Sequence, residues 1–193
     1  MSAILDKTGI QVNDAINGEY DNSPRVSFGW EDLKAPATTI RQGATNKPDF
    51  DSSNIGLLFP QNDASEIAYV IMQMPHARKD ISNIRPHIHF IQESALEPVF
   101  KIDYRWYKNG DTVPATWTTL SCDSMAFTYT SGDMLQICSF PEIDGSAIDS
   151  VSSIFECRIY RDDNIVVGDV LMKEFDIHYQ VDQERGSRQE FVK

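Results

Sequence analysis

Val99-Phe100-Lys101-Ile102-Asp103-Tyr104-Arg105-Trp106-Tyr107 is the stretch from which the fold can be read. Phe100, Ile102, Tyr104 and Trp106 alternate with Lys101, Asp103 and Arg105. Successive side chains of a strand point to opposite faces, so this period of two predicts one buried face and one wetted face. Two later stretches repeat the pattern. Phe155, Cys157 and Ile159 alternate with Glu156, Arg158 and Tyr160, and Phe175, Ile177 and Tyr179 alternate with Glu174, Asp176 and His178. Further strands are predicted over 55–59, 66–73, 86–92, 124–130, 134–140, 151–161 and 170–181. Pro60-Gln61-Asn62-Asp63 reads as the turn of a hairpin between the first two, and Asn109-Gly110 is a tight-turn signal. No long amphipathic helix interrupts them. The expected fold is therefore all-β, an antiparallel jelly-roll-like β-sandwich.

Upstream the pattern stops. Residues 1–54 show no sustained period and are rich in turn formers: Asn17-Gly18, Asn22-Ser23-Pro24, Ala35-Pro36, Gly43, Asn46-Lys47-Pro48 and Asp51-Ser52-Ser53-Asn54. They are expected to form a largely irregular N-terminal arm. The sandwich is expected over 55–181, with a polar C-terminal tail over 182–193. Phe28 and Trp30 interrupt the polar arm and are costly to leave in water. They are candidate interface residues, anchoring the arm on its own domain or on a neighbour. Removing residues 1–50 is accordingly expected to leave a folded sandwich.

Composition narrows the function. With 41% hydrophobic residues among 193, the chain can bury an interior, which excludes global disorder. A net charge of −12 argues against nucleic acid as a partner, since that requires a Lys/Arg surface. Between Gly132 and Asp182 eleven acidic residues face three basic ones, which suits a solvated β surface or a contact with a basic partner. No apolar run approaches the roughly 20 residues of a membrane span. Residues 1–18 lack a basic start followed by an apolar block, so no signal peptide is expected and synthesis in a cytoplasm is. Cys122, Cys138 and Cys157 form no CxxC pair and read as reduced structural thiols.

Candidate chemistry centres on Pro86-His87-Ile88-His89-Phe90-Ile91-Gln92-Glu93. Strand periodicity puts His87 and His89 on one face, where two imidazoles can share a metal, and Glu93 can add a carboxylate. The spacing His-x-His-x-x-x-Glu resembles the first metal motif of the cupins. The glycine that precedes that motif is missing, as are the Gly, Pro and His elements of the second. His178, downstream, lies in unrelated surroundings; were it to face His87 and His89, an enzyme reading would gain. Otherwise the two histidines read as hydrogen-bonding residues on a sheet face. No Gly-x-Ser-x-Gly elbow and no phosphate loop is present. Asp144, Asp149, Asp162 and Asp163 are oxygen donors for calcium, but no Asp-x-Asp-x-Asp-Gly loop joins them. No catalytic residue, cofactor or resident metal is expected.

The order of several segments resembles that of a group of tailed-bacteriophage structural proteins. Trp30-Glu31-Asp32-Leu33-Lys34-Ala35-Pro36 is similar to their opening stretch, and Gly56-Leu57-Leu58-Phe59 to the Gly-Leu-aromatic strand that follows. Met74-Pro75-His76, then Arg85-Pro86-His87-Ile88-His89-Phe90, then Tyr104-Arg105-Trp106-Tyr107 continue the series. The resemblance covers roughly 30–117. It implies a virion protein with a jelly-roll domain, most simply a capsid decoration or cement protein. It further implies a homotrimer whose partner is the major capsid protein or another virion protein. A tail or fibre component is the alternative within the virion, and a cupin-like metal-dependent enzyme the alternative outside it.

Overall fold

The computed structural model of the protein describes residues 3–6, 9–12, 29–61, 63–122, 124–126, 134–163 and 168–182, with backbone alone for 3–6, 9–12 and 124–126. In chain order its strands are β1 (Ala3–Asp6), β2 (Gly9–Val12), β3 (Trp30–Pro36), β4 (Arg41–Gln42), β5 (Asp49–Asp51), β6 (Gly56–Phe59) and β7 (Ala68–Gln73). They continue with β8 (Ile84–Gln92), β9 (Phe100–Tyr107), β10 (Thr118–Ser121), β11 (Ser124–Ala126), β12 (Met134–Ser139), β13 (Ile154–Arg161) and β14 (Val170–Gln180). The helical content among the described residues is one 3-10 turn, Ala37–Thr39.

All strand pairs are antiparallel. The smaller sheet runs β10-β9-β13-β7-β4, and the larger runs β11-β12-β8-β14-β6-β5 with β3 also on β14. Eight strands form the frame: β6-β14-β8-β12 lie opposite β7-β13-β9-β10. The first and last of the eight are neighbours, as are the third and sixth. Across the sandwich the second pairs with the seventh and the fourth with the fifth. That is the double Greek key of a jelly roll, and the strand order alone identifies it.

The alternation seen in the sequence sets the inner faces. Phe100 and Ile102 on β9, Phe155, Cys157 and Ile159 on β13, and Phe175 and Ile177 on β14 are all buried. Tyr104 and Trp106 are partly buried and packed against them. Aromatic pairs bridge the sheets: Phe59 meets Phe100 edge-on with centroids 5.7 Å apart, and Phe155 stacks on Phe175 at 6.5 Å. Full burial of one such side chain contributes about 1.5–3 kcal/mol, whereas an exposed ion pair contributes about 0–1 kcal/mol. The core faces therefore dominate.

Two expectations are corrected. Residues 30–51, expected within an irregular arm over 1–54, belong to the sandwich, because β3, β4 and β5 join the sheets and Ala35, Ala37 and Ile40 are core. Turn-rich sequence concealed these strands, since edge strands need little apolar periodicity. The hairpin expected across Pro60–Asp63 is instead a crossing between sheets: β6 pairs with β14 and β5, and β7 with β13 and β4. Gly110 does turn the chain, with a φ of 92° that suits glycine, but β9 and β10 are joined by the longer loop 108–117.

Candidate functional site

His87 and His89 lie on β8 and point away from the core, because Ile84, Ile88 and Phe90 take the inner positions. The facing residues come from β14, and a bulge there decides which they are. Val170 and Met172 are buried inward; the register then shifts between Met172 and Glu174, and Phe175, Ile177 and Tyr179 continue as the inward set. Lys173 is the extra residue. Were Lys173 paired in regular alternation and not bulged, the parity would turn Glu174, Asp176 and His178 into the core.

Register then assembles a polar cluster on the outer face. Ser139, His87, Asp176 and Lys34 form one transverse row across β12, β8, β14 and β3. Ile137, His89, Glu174 and Pro36 form the next row, and Arg85, His178 and Asp32 flank on the other side. Although it faces outward, Asp176 is only 2% exposed and His87 only 6%.

Asp176 divides its two oxygens between two histidines. His89 Nε2 donates to Oδ2 at 3.2 Å. His87 Nδ1 stands 3.4 Å from Oδ1 but off the hydrogen-bond direction, so both of those buried atoms lack a hydrogen-bond partner. A buried donor or acceptor left unmade costs about 1–3 kcal/mol. The ring of His178 lies on that of His87, centroids 4.0 Å apart, and its Nε2 is 2.9 Å from Asp32 Oδ1.

The electrostatics follow from these contacts. Burial opposes ionisation of Asp176, but its contacts with His87 and then with His89 outweigh it and hold the carboxyl at about 2. The hydrogen bond to Asp176 raises His89, against burial. Burial, reinforced by the neighbouring His87, pushes His178 down.

The structure thus brings His87, Asp176 and His178 together, and separately His89, Glu174 and Asp176, with ligand atoms within 4.8 Å of one another in each group. Glu93, the carboxylate expected from the cupin-like spacing, belongs to neither. It follows the end of β8 and lines a separate cleft with Asp51, Asn54, Leu58 and Asp169. The cluster also faces outward from the sheet and not into the sandwich. Asp176, Asp32 and Glu174 escaped the sequence reading. The alternation around Phe175 did place Glu174, Asp176 and His178 on one face, but not beside β8.

The remaining candidates are accounted for individually. Trp30 opens β3 and is 50% exposed; Phe28 lies outside the described residues. The proposed calcium donors are dispersed: Asp149 pairs with Lys108, Asp162 with Lys101 and Asp163 with Arg161, while Asp144 accepts from Ser146. The three cysteines are free thiols, Cys138 and Cys157 buried, and burial pushes Cys157 far above the usual thiol range.

No family model matches the sequence, and no curated protein matches it. Among solved structures, the chain is similar to the Eiger TNF of S. frugiperda at 6% identity and a TM-score of 0.30, covering 83% of this chain and 98% of that one.

Proposed function

We propose that this chain is a structural protein of a tailed-bacteriophage virion, a capsid decoration protein that forms a homotrimer and binds the major capsid protein. The observation that carries this reading is Trp30, half exposed at the start of a strand paired on one side only among the described residues. An indole left in water at an open sheet edge is an anchor for another chain. Asp32, Lys34 and Pro36 along the same strand are the kind of residues that restrain indiscriminate edge pairing. The jelly-roll frame and the five ordered segments from Trp30 onward support the same reading. Light scattering on the purified chain, followed by co-sedimentation with undecorated heads, tests it. A trimer that sediments with heads is the expected result. A chain that stays monomeric at high concentration and never sediments with heads overturns it.

A metal-dependent enzyme is the second reading, favoured by one observation: the His178 ring lies against His87. It requires turnover that is lost with the metal and restored by it.

A further inference from the structure

The geometry points to a transition-metal site on the outer face of the larger sheet, with His87, Asp176 and His178 as its protein ligands and Zn2+ as the ion that fits. This does not depend on the virion reading.

The orphaned pair supplies the first argument. His87 Nδ1 and Asp176 Oδ1 are buried, face each other at 3.4 Å and lack hydrogen-bond partners. Two ligands bound to one tetrahedral zinc at about 2.0–2.1 Å stand about 3.4 Å apart. For His87 and Asp176 the direction is wrong for a hydrogen bond, and the separation is the one a shared ion sets.

Neighbouring contacts complete the arrangement. His178 brings the third donor, within 4.8 Å of the other two. The contact of its Nε2 with Asp32 is the carboxylate–histidine pairing that orients ligand imidazoles. His89 occupies the other oxygen of Asp176 and so turns Oδ1 toward His87 and His178. Two imidazoles and one carboxylate suit zinc and its first-row neighbours, whereas calcium and magnesium require mainly oxygen. The competing group of His89, Glu174 and Asp176 is weaker, because His89 Nε2 and Asp176 Oδ2 already make a hydrogen bond. Three ligands leave a fourth position open. An ion held there cross-links β8 to β14, neighbours in the larger sheet.

The full chain, stripped by chelator, is titrated with Zn2+ by calorimetry and with Co2+ by visible absorption. The expected result is one ion per chain with the intense bands of tetrahedral cobalt. His87→Ala and His178→Ala should each weaken zinc by about a hundredfold or more, and His89→Ala, acting through Asp176, by about tenfold. Glu93→Ala should change nothing. If His87→Ala fails to fold, the half-exposed His178 provides the deciding variant. Absence of stoichiometric binding by the folded wild-type chain, or unchanged affinity in folded His178→Ala, overturns the site.

Discussion

Asp163 illustrates how one residue acquires its role from its neighbours. Arg161 is fully buried and donates Nε to Asp163 Oδ2 at 2.7 Å and Nη2 to Oδ1 at 3.1 Å. Its Nη1 reaches the carbonyls of Phe59 and Gly168, while Asp163 also accepts from the backbone of Val99. The pair ties the end of β13 to β6 and to the entry of β9. Asp163→Ala strands a buried guanidinium and should cost about 3–5 kcal/mol, read as a lower denaturant midpoint. A loss below about 1 kcal/mol would class it with exposed pairs. Glu156, on the outer face of the smaller sheet, gives a pH-dependent counterpart. Burial resists its ionisation, but the Tyr107 hydroxyl at 2.6 Å and the Arg105 guanidinium outweigh that and lower its pKa. A depressed folded pKa stabilises the protein above the unfolded value of 4.5 and stops doing so as pH falls through the lower folded one. Glu156→Gln should therefore lose about 1–3 kcal/mol at neutral pH. The gap from wild type should close in acid, as midpoints measured at both pH values would reveal.

At the level of elements, β3 matters most to what was expected of the arm. Its residues pair with β14 from Trp30↔Gln180 to Pro36↔Glu174, covering an edge that β6 reaches only at 170–172. Behind it Ala35, Ala37 and Ile40 are buried. Removing residues 1–50 strips that edge and opens the core, so it should abolish cooperative unfolding and not leave the intact sandwich expected from the sequence. Removing residues 1–28 keeps β3 and should leave the thermal midpoint within a few degrees, about what a loss under 1 kcal/mol produces. Melting curves of the two truncations separate these outcomes. If both melt like the full chain, β3 contributes nothing to the fold.

For the whole molecule, the question is which surfaces remain open. Large apolar side chains stay exposed on both outer faces, Ile71 on β7 and Leu135 on β12 among them, and Trp30 stands on β3, which among the described residues is paired on one side only. Scattered exposed aliphatics are ordinary; an exposed indole on a strand with one described partner is a better anchor. If the proposed virion role holds, Trp30→Ala should leave the thermal midpoint nearly unchanged while weakening self-association and attachment to heads by about tenfold or more, as loss of a hot spot would. Sedimentation velocity of the variant beside wild type checks this. Unaltered assembly would remove Trp30 from the proposed interface.

The sequence by itself determined the class of element and the inner face of each main strand. Side-chain parity is a local property of the pleat, so Phe100, Ile102, Phe155 and Phe175 could be placed inward from their neighbours alone. It also put His87 with His89, and Asp176 with His178, on single faces. Only the tertiary structure decided which strands adjoin, because backbone pairing is non-local and carries little trace in side-chain order. β6 and β7, adjacent in sequence, fall in different sheets, while β6 and β14, at opposite ends of the frame, are partners. Thr118–Ser121 is too polar to announce a strand and becomes one through pairing with β9. The cluster on the larger sheet has the same origin. β8 lies beside β14, the bulge at Lys173 sets the register, and together they bring Asp176 and His178 to His87 while leaving Glu93 elsewhere.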